Sequence, residues 1–410
     1  MDNERRKKPE LVAPAGDWSS LYSASEAGAD AVYFGVKGLN MRASARNFDI
    51  LEIRKVMDFL RGEGRKGYLA LNVLVYDREM DLARKILDAA REAGVDAVIV
   101  WDMAALSIAK ELGLCAHLST QASVANLPAL KAYSSLGVDR VVLARECALK
   151  DIENMIQGLS REKIKCRIET FIHGAMCVSV SGRCFLSHHS FFRSANRGDC
   201  IQPCRREFTI IDKDKECGYV LGEDYVLSAK DLCTVGFIDK LIEAGIHAFK
   251  IEGRMRPPEY VSVVTSVYRD AIDSFFEGGF DDDKKEELLK RLGRSFNRGF
   301  TSGFYFGRPD DTGGRVSREY EKVYLGEVVK FYKKVGVAEI MVRGEALNTG
   351  QEILVTGKKT PASFARVTEM QIEHEAVESA EKGQAVGVKL PFAVRRNDKV
   401  FLWKSSEAQT

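Results

Sequence analysis

Four cysteines in one stretch of the chain are the side chains whose type and spacing best suit chemistry. Cys177, Cys184, Cys200 and Cys204 follow the pattern C-x6-C-x15-C-x3-C. Thiolates are soft ligands, and four of them can close a tetrahedral zinc site or hold a four-iron cluster. The first pair is wider than a zinc knuckle, and glycines lie among the cysteines. The spacing therefore favours a 4Fe–4S cluster, with zinc and metal-free packing as alternatives.

Charged side chains near two predicted strands are candidate catalytic residues. Glu169 lies on a strand predicted over 167–172, where an inward carboxylate can accept a proton or orient a ligand. The alternative is a buried carboxylate paired with an arginine. His173 lies four residues before the first cysteine and is a candidate proton donor or partner of a cluster sulfur, or a plain loop residue. Lys250 and Glu252 share one face at the end of the last predicted strand and complete this set.

One stretch mixes arginines with aromatic residues. Such a mixture suits phosphate contacts and base stacking, and it is the candidate RNA-binding surface. A linker that packs its aromatic rings against the rest of the protein is the alternative. The arginines concerned are Arg291, Arg294, Arg298 and Arg308.

A repeated pattern predicts the elements that position these residues. A small residue and a glycine, followed by a short Val/Ile-rich run, recur at Gly28, Gly94, Gly137 and Gly245. Each marks a helix end followed by a buried parallel strand. Four further strand candidates lie between these joints. Eight strands with helices between most of them, the seventh helix over 231–244, favour an α/β fold of the (β/α)8 TIM-barrel type over a doubly wound open sheet. The strands are predicted at 10–14, 31–36, 67–75, 97–101, 116–120, 140–144, 167–172 and 248–252.

The chain divides into three predicted parts. The barrel covers 1–278 and carries a cysteine-rich insertion at about 173–222. Residues 279–321 form a linker with a charged helix and a Gly-rich, aromatic and basic stretch. Short strands and turns over 322–410 predict a small C-terminal β-barrel, in which the turn at 348–350 is a hairpin signal.

At the carboxyl ends of the barrel strands, polar side chains would meet a bound ligand. Barrel active sites are built at this face. Arg42 and Arg46 follow the second strand, and Arg254 follows the last. Asn72 and Gln121 can supply hydrogen bonds. The alternative for the arginines is a ring of structural salt bridges around the rim.

Composition limits the class of protein. The 410 residues are 45% apolar and 29% charged, with a formal charge of +2, so an RNA contact would need a local basic patch. The start of the chain carries no export signal and no run of apolar residues is long enough to cross a membrane. Nine cysteines then suggest metal or redox chemistry in a reducing compartment, and we expect a cytoplasmic protein without membrane partners.

Residues 169–187 match a family signature. ETFIHGAMCVSVSGRCFLS follows E-x-F-x-x-G-[SA]-x-C-x4-G-x-C-x-[LIVM]-S, and the chain thereby resembles the collagenase-like peptidase family of unassigned catalytic type. The resemblance extends over nearly the whole chain. Supporting stretches are LVAPAG (11–16), DAVYFG (30–35), SARNF (44–48), HLSTQ (117–121), VVLARE (141–146), SAKDL (228–232) and KIEGRMRPPEYV (250–261).

The resemblance implies an oxygen-independent hydroxylase. Better understood members of the family use a 4Fe–4S cluster and prephenate as the apparent source of the hydroxyl group. One branch forms 5-hydroxyuridine at the tRNA wobble position, another acts on a cytidine of 23S rRNA, and a shorter pair acts on the ubiquinone ring. Length and the appended β-domain resemble the tRNA branch. Implied partners are tRNA, prephenate and, as further candidates, a homologous subunit or an electron donor.

Prephenate is a dicarboxylate, so Arg145, Arg254 and Arg256 are its candidate contacts in this resemblance. A peptidase is the main alternative function, with Cys177 or Cys184 near His173 as a Cys–His pair. Hydroxylation of a small ring such as a quinone precursor, or a non-catalytic module stapled by its cysteines, are further alternatives.

Overall fold

Seven parallel strands alternate with six helices through the first part of the chain. The computed structural model describes residues 7–206, 208–212, 217–221, 229–295, 297–307 and 320–405. The strands are β1 (Glu10–Ala15), β2 (Ala31–Gly35), β3 (Lys66–Leu71), β4 (Ala97–Val100), β5 (Ala116–Leu118), β6 (Arg140–Val142) and β7 (Arg167–Ala175). The helices are α1 (Trp18–Glu26), α2 (Ile53–Gly62), α3 (Met80–Ala93), α4 (Met103–Glu111), α5 (Leu127–Ser135) and α6 (Leu149–Arg161).

The glycine pattern marks the helix ends as predicted. Gly28, Gly94, Gly137 and Gly245 all have positive φ, between +66° and +90°. In this left-handed region a side chain is strained, whereas glycine turns the chain from helix into strand at little cost. The repeated glycine is therefore the local reason why helix and strand alternate.

The cysteine-rich segment after β7 folds into short elements. They are α7 (Leu186–Phe191), the antiparallel hairpin of β8 (Phe208–Asp212) and β9 (Cys217–Leu221), and β10 (Asp231–Cys233). The helix predicted over 231–244 is wrong at its start, because β10 pairs antiparallel with the end of β7. That end of β7 projects beyond its pairing with β6, and its open edge accepts β10. Helix α8 follows only at Ile238–Glu243.

The last parallel strand, β11 (Ala248–Ile251), closes the barrel. It pairs with β7 on one side and with β1 on the other. Helix α9 (Pro258–Glu277) then packs back against α1 and β1. The predicted (β/α)8 barrel is confirmed, and the open sheet is wrong because no strand between β1 and β7 is left as an edge.

Part of the predicted linker belongs to the barrel. Helix α10 (Asp282–Gly293) packs on α9, and the two-residue strand β12 (Phe300–Thr301) pairs in parallel with β10. Tyr305 donates a hydrogen bond to the carbonyl of Phe171 in β7 at 2.7 Å. The aromatic residues described here thus pack against the barrel.

The C-terminal part is an antiparallel half-barrel. The strands are β13 (Tyr320–Tyr332), β14 (Val337–Val342), β15 (Leu347–Asn348), β16 (Glu352–Thr356), β17 (Ser363–Arg366), β18 (Met370–Ile372), β19 (Glu375–Ala376), β20 (Ser379–Ala380), β21 (Ala385–Lys389) and β22 (Lys399–Ser405). The main sheet has the order β17-β16-β22-β13-β14-β21-β18-β19, which confirms the predicted small C-terminal β-domain in the form of a half-barrel. The turn at 348–350 is not a hairpin, because β15 pairs with β20 whereas β16 pairs with β17 and β22.

The half-barrel docks on the outside of the (β/α)8 barrel. The backbone N–H of Ala362 donates to Ser23 Oγ in α1 at 2.9 Å, and Lys322 pairs with Glu259 in α9 at 2.7 Å. Arg294, after α10, pairs with Glu352 in β16. Of the helices that the structure describes, none has the length and apolar character needed to cross a membrane.

Candidate functional site

A cavity of about 300 Å³ opens at the carboxyl ends of the barrel strands. Side chains of the strands line its base, including Ala70, Ile99, Phe171 and Lys250. The cysteine-rich segment covers it from above. This is the end of the barrel at which the fold places active sites.

All four predicted ligand cysteines line this cavity: Cys177, Cys184, Cys200 and Cys204. Burial raises the pKa of Cys204; Arg205 opposes this shift, and the other three cysteines add to it. The backbone N–H of the residue two positions later donates to Cys184 Sγ and to Cys200 Sγ, each at 3.3 Å. Hydrogen bonds of this kind stabilise negative charge on sulfur.

The four cysteines offer a set of soft ligands. Within the described parts of the chain, no three Cys, His, Asp or Glu side chains converge closely enough to hold one metal ion. A zinc ion would draw all four thiolates to about 2.3 Å from one centre, whereas each cysteine of a 4Fe–4S cluster binds its own iron.

Gly198 seats the cysteine-rich segment on the barrel. Its φ is +79°, and a Cβ there would lie 2.1 Å from the carbonyl oxygen of Asn40. Only glycine fits this close approach of two backbones. The segment that carries Cys200 is therefore held against the loop after β2.

A chain of charged side chains runs through the barrel below the cavity. Lys250 Nζ donates to Glu169 Oε1 at 2.8 Å, and Arg140 Nη1 donates to Glu169 Oε2 at 3.0 Å and to Glu10 Oε1 at 2.7 Å. Burial opposes ionisation of Glu169, but Lys250 and Arg140 outweigh it and lower the pKa of this carboxyl. Glu169 is thus a fully buried, ion-paired carboxylate, and Lys250 lies between it and the cavity.

A second ion cluster lies in the cavity wall. Arg42 donates to Glu252 Oε1 from Nε at 3.1 Å and from Nη2 at 2.8 Å, and Arg145 Nη2 lies 3.7 Å from Glu252 Oε2. Burial opposes the charge of Glu252, but Arg42 and Arg145 lower its pKa to about 2. Arg254 Nη1 donates to Asn40 Oδ1 at 3.1 Å, and burial lowers the pKa of Arg254 to about 10. All four charged groups reach the cavity.

Neutral polar groups form another part of the lining. Asn72 Nδ2 donates to Ser119 Oγ at 3.3 Å and to Gln121 Oε1 at 3.4 Å. The Oδ1 atom of Asn72 accepts from the backbone of Met41 at 3.2 Å. Asn72 and Gln121 therefore lie where they were predicted to, with amide groups at the cavity surface.

Three predicted site residues lie elsewhere. His173 is buried among Tyr260, Tyr268 and Phe300, and burial lowers its pKa to about 3. It does not line the cavity, which argues against its predicted proton transfer there. Arg46 is mostly exposed and pairs with Asp17. Arg256 pairs with the buried Asp231 of β10 at 3.0 Å, as the salt-bridge alternative predicted.

The predicted basic strip is used mainly for structural ion pairs. Arg291 pairs with Asp270 of α9 at 2.5 Å, Arg294 pairs with Glu352, and Arg298 lies 3.7 Å from Asp231. Arg308 lies outside the described residues. The three described arginines are therefore poor candidates for a free RNA-binding surface, and the packed-linker alternative describes them better.

Sequence patterns missed two important cations. Arg140 is the one charged residue in the short apolar strand β6, and all three residues of this strand are buried. A charge in such a strand is the sequence signal that could have identified Arg140. Arg205 directly follows the last ligand cysteine and donates to the carbonyl of Met176 at 2.5 Å and to that of Ala229. Both of these acceptors are neutral. Arg205 therefore adds positive charge to the cavity.

The cavity carries a surplus of positive charge. Five cationic side chains and two carboxylates line it, and Glu169 below compensates one of the cations, Lys250, so two cations remain in excess before any thiolate is counted. A surplus of this sign in an enclosed site favours an anionic ligand. The cations are Arg42, Arg145, Arg205, Lys250 and Arg254, and the carboxylates are Glu146 and Glu252.

Comparison with known proteins identifies one family model and several similar proteins. The family model "Peptidase family U32" matches residues 16–315. The chain is 40% identical to a protein named collagenase from Porphyromonas gingivalis, over 97% of this chain and 98% of that protein. It is 38% identical to tRNA hydroxylation protein P1 of Bacillus subtilis, over 79% of this chain and 75% of that protein. It is 36% identical to a 23S rRNA 5-hydroxycytidine synthase of Escherichia coli, over 83% of this chain and 52% of that protein.

Proposed function

The chain belongs to peptidase family U32, and we propose that within this family it hydroxylates RNA. Two of the similar proteins carry names that state RNA hydroxylation. The single observation that carries the proposal is the cavity, in which four thiols face a surplus of cations at the catalytic end of the barrel. Peptide-bond hydrolysis does not require four thiols together with a cluster of cations.

We propose that Cys177, Cys184, Cys200 and Cys204 hold a 4Fe–4S cluster. Their place around one cavity and the N–H donors to Cys184 and Cys200 support thiolate ligation at this site. When bound, such a cluster supplies electron transfer or a Lewis-acidic iron next to the cavity. Electrons would come from a separate donor.

We propose that prephenate, a dicarboxylate, occupies the cationic wall. Arg42 and Arg145 are held in place by Glu252, and Arg254 by Asn40, so their orientation is set before a ligand arrives. Charge-assisted, preorganised contacts of this kind give strong binding of carboxylates. Arg205, whose hydrogen bonds go to neutral carbonyls, is the cation with the least compensated charge.

We propose that the RNA substrate is the wobble uridine of tRNA, which becomes 5-hydroxyuridine. A base must leave its stack to enter an enclosed site, and unpaired loop bases do so at the lowest cost. Gln121, which accepts a hydrogen bond from Asn72, presents its amide group at the cavity surface, where it suits the edge of a pyrimidine. Phe171 and Tyr33 also line the cavity.

Proteolysis, the alternative that one relative's name suggests, requires an activated nucleophile. The proposed partner His173 is enclosed by aromatic rings, and its Nδ1 lies 3.3 Å from the Tyr268 hydroxyl. Within the described residues, His173 makes no hydrogen bond to Cys177 or Cys184. This placement counts against a Cys–His pair.

The test is the modification state of tRNA. We expect total tRNA from a deletion strain, digested and analysed by mass spectrometry, to lose 5-hydroxyuridine derivatives in a background without related genes. Complementation with the wild-type chain should restore them, and complementation with Cys200→Ser should not. Undiminished 5-hydroxyuridine in that background, with gelatin cleavage by the purified protein, would favour the peptidase.

A further inference from the structure

The outer face of the cysteine-rich segment carries two unusually exposed aromatic rings. Phe185 and Phe192 are 74% and 87% exposed. Phe306, the next most exposed aromatic side chain among the described residues, is 56% exposed. Apolar rings are normally covered, so two bare rings on one short segment mark a surface that another molecule covers.

The backbone at Phe192 supports this interpretation independently. Phe192 follows α7 with φ +55° and ψ +24°, the left-handed conformation in which helices usually place glycine. A bulky side chain in this conformation is rare and strained. The chain thus keeps a phenylalanine where glycine would be more stable, and the ring gains no packing in return.

The same face is positively charged. Residues 177–206 contain five arginines, of which Arg193 pairs with Asp199, Arg197 pairs with Glu79 and Arg205 lines the cavity. The two that remain are Arg183 and Arg206. Arg183 donates to the hydroxyl of Ser123, and Arg206 lies over the ring of Phe191 at 4.8 Å. Neither forms an ion pair with a carboxylate among the described residues. Exposed rings interleaved with uncompensated arginines fit a polyanion that has flat, unstacked groups.

This surface adjoins the cavity. Phe185 lies between Cys184 and Leu186, both of which line the cavity. Ser187 and Ala195, on either side of Phe192 along the chain, line it as well. A molecule bound on the outer face would therefore be at the cavity entrance.

We infer that this outer face binds the single-stranded loop of the RNA substrate. Bases adjacent to the target stack on Phe185 and Phe192, and phosphates contact Arg183 and Arg206. The inference rests on the proposed function and adds the surface that presents the base. It also replaces the predicted strip at 291–308, whose described arginines are engaged with carboxylates.

Ring removal tests the stacking interactions. The probe is a synthetic anticodon stem–loop with uridine at the wobble position, and the readout is its Kd for anaerobically purified protein. We expect Phe185→Ala and Phe192→Gly each to weaken binding by about 5- to 150-fold, the range for removal of one base–ring stack. Phe192→Gly suits the left-handed backbone, so it should leave folding intact. Tyr332→Ala, at a half-exposed ring of β13, is the control and should bind as the wild type does.

Salt dependence tests the role of the arginines. For single strands the slope of log K against log salt falls by about 0.7 for each phosphate that the protein no longer neutralises. We expect Arg183→Gln and Arg206→Gln each to reduce the slope by about that amount. Lys290→Gln, which removes an exposed charge of α10, should leave it unchanged.

The outcomes separate the inference from the proposed function. All preparations are first matched for absorbance near 400 nm, so that loss of the cluster is not mistaken for loss of RNA binding. If the wild type hydroxylates tRNA and both ring variants bind the stem–loop with unchanged Kd, the outer face is not the docking surface and the proposed function stands. If the wild type neither binds nor hydroxylates RNA, both fail. An acidic protein captured in place of RNA would also overturn the inference.

Discussion

Replacing Glu169 by glutamine should show how much the buried ion pairs of the barrel contribute to the free energy of unfolding. Glu169 is fully buried and accepts hydrogen bonds from Lys250 and Arg140. In Glu169→Gln, Arg140 keeps Glu10 at 2.7 Å, whereas Lys250 has no other salt bridge among the described residues. Breaking a buried pair in this way costs about 3 to 5 kcal/mol, since one charge stays buried without its partner.

The double variant is the matched control. Lys250→Met removes the stranded charge, so Glu169→Gln/Lys250→Met should recover much of the loss. Lys250→Met alone should cost less than Glu169→Gln, because Glu169 keeps Arg140. Urea unfolding, followed by the fluorescence of Trp18 and Trp101, gives the unfolding midpoint of each variant. With an m-value of about 3 kcal/mol per molar, the midpoint of Glu169→Gln should fall by about 1 M or more.

The pH dependence has a defined sign. Burial lowers the pKa of Lys250 in the folded protein, while Glu169 opposes that shift. Without Glu169 the pKa of Lys250 in the folded protein falls further below its unfolded value of about 10.4. The free-energy cost of burying the charged Lys250 is therefore fully present at pH values below the folded pKa. This cost shrinks as pH rises through the folded pKa towards the unfolded value, so the difference in unfolding free energy between the variant and the wild type should narrow as pH rises. A loss under about 1 kcal/mol, or a gap that widens with pH, would refute the reasoning.

Three further outcomes follow from the site. Cys200→Ser should lose absorbance near 400 nm, whereas Cys166→Ser, at a buried position outside the cavity, should keep it. If Cys200→Ser keeps this absorbance, the ligands are misassigned. Arg254→Gln should raise the KM for prephenate about 10- to 100-fold in single-turnover assays, the effect of removing one charge-assisted hydrogen bond, and an unchanged KM would place the dicarboxylate elsewhere. Glu252 has its pKa lowered to about 2, so its stabilising effect is present above the unfolded value of 4.5 and is lost as pH falls towards 2. Arg42→Gln should therefore shift acid unfolding to higher pH, measured by tryptophan fluorescence, and an unchanged midpoint would contradict the assigned ion pair.

Features that depend on local signals could be predicted from the sequence. The glycine that ends several of the helices and the apolar run that follows it are adjacent along the chain, so the barrel strands were found within a few residues. The four cysteines are likewise close in sequence, and all of them line the cavity. In both cases neighbouring residues carry the information.

Features that depend on distant partners were missed. Whether Arg291 and Arg294 are free depends on Asp270 and Glu352, which no local pattern connects to them. The strand at Asp231–Cys233 forms because β7 extends past the barrel rim.

The barrel cannot close on the ribosome until its last strand, β11, has been synthesised. Glu10 pairs with Ala248, so roughly 240 further residues must be made after β1 before its last partner strand exists. At ~5 to 20 residues per second this takes between about ten and fifty seconds. During that time β1 can pair with β2 but not with β11, and the cavity base, which needs Lys250, does not yet exist. A ligand can therefore bind in the cavity only after β11 has been made.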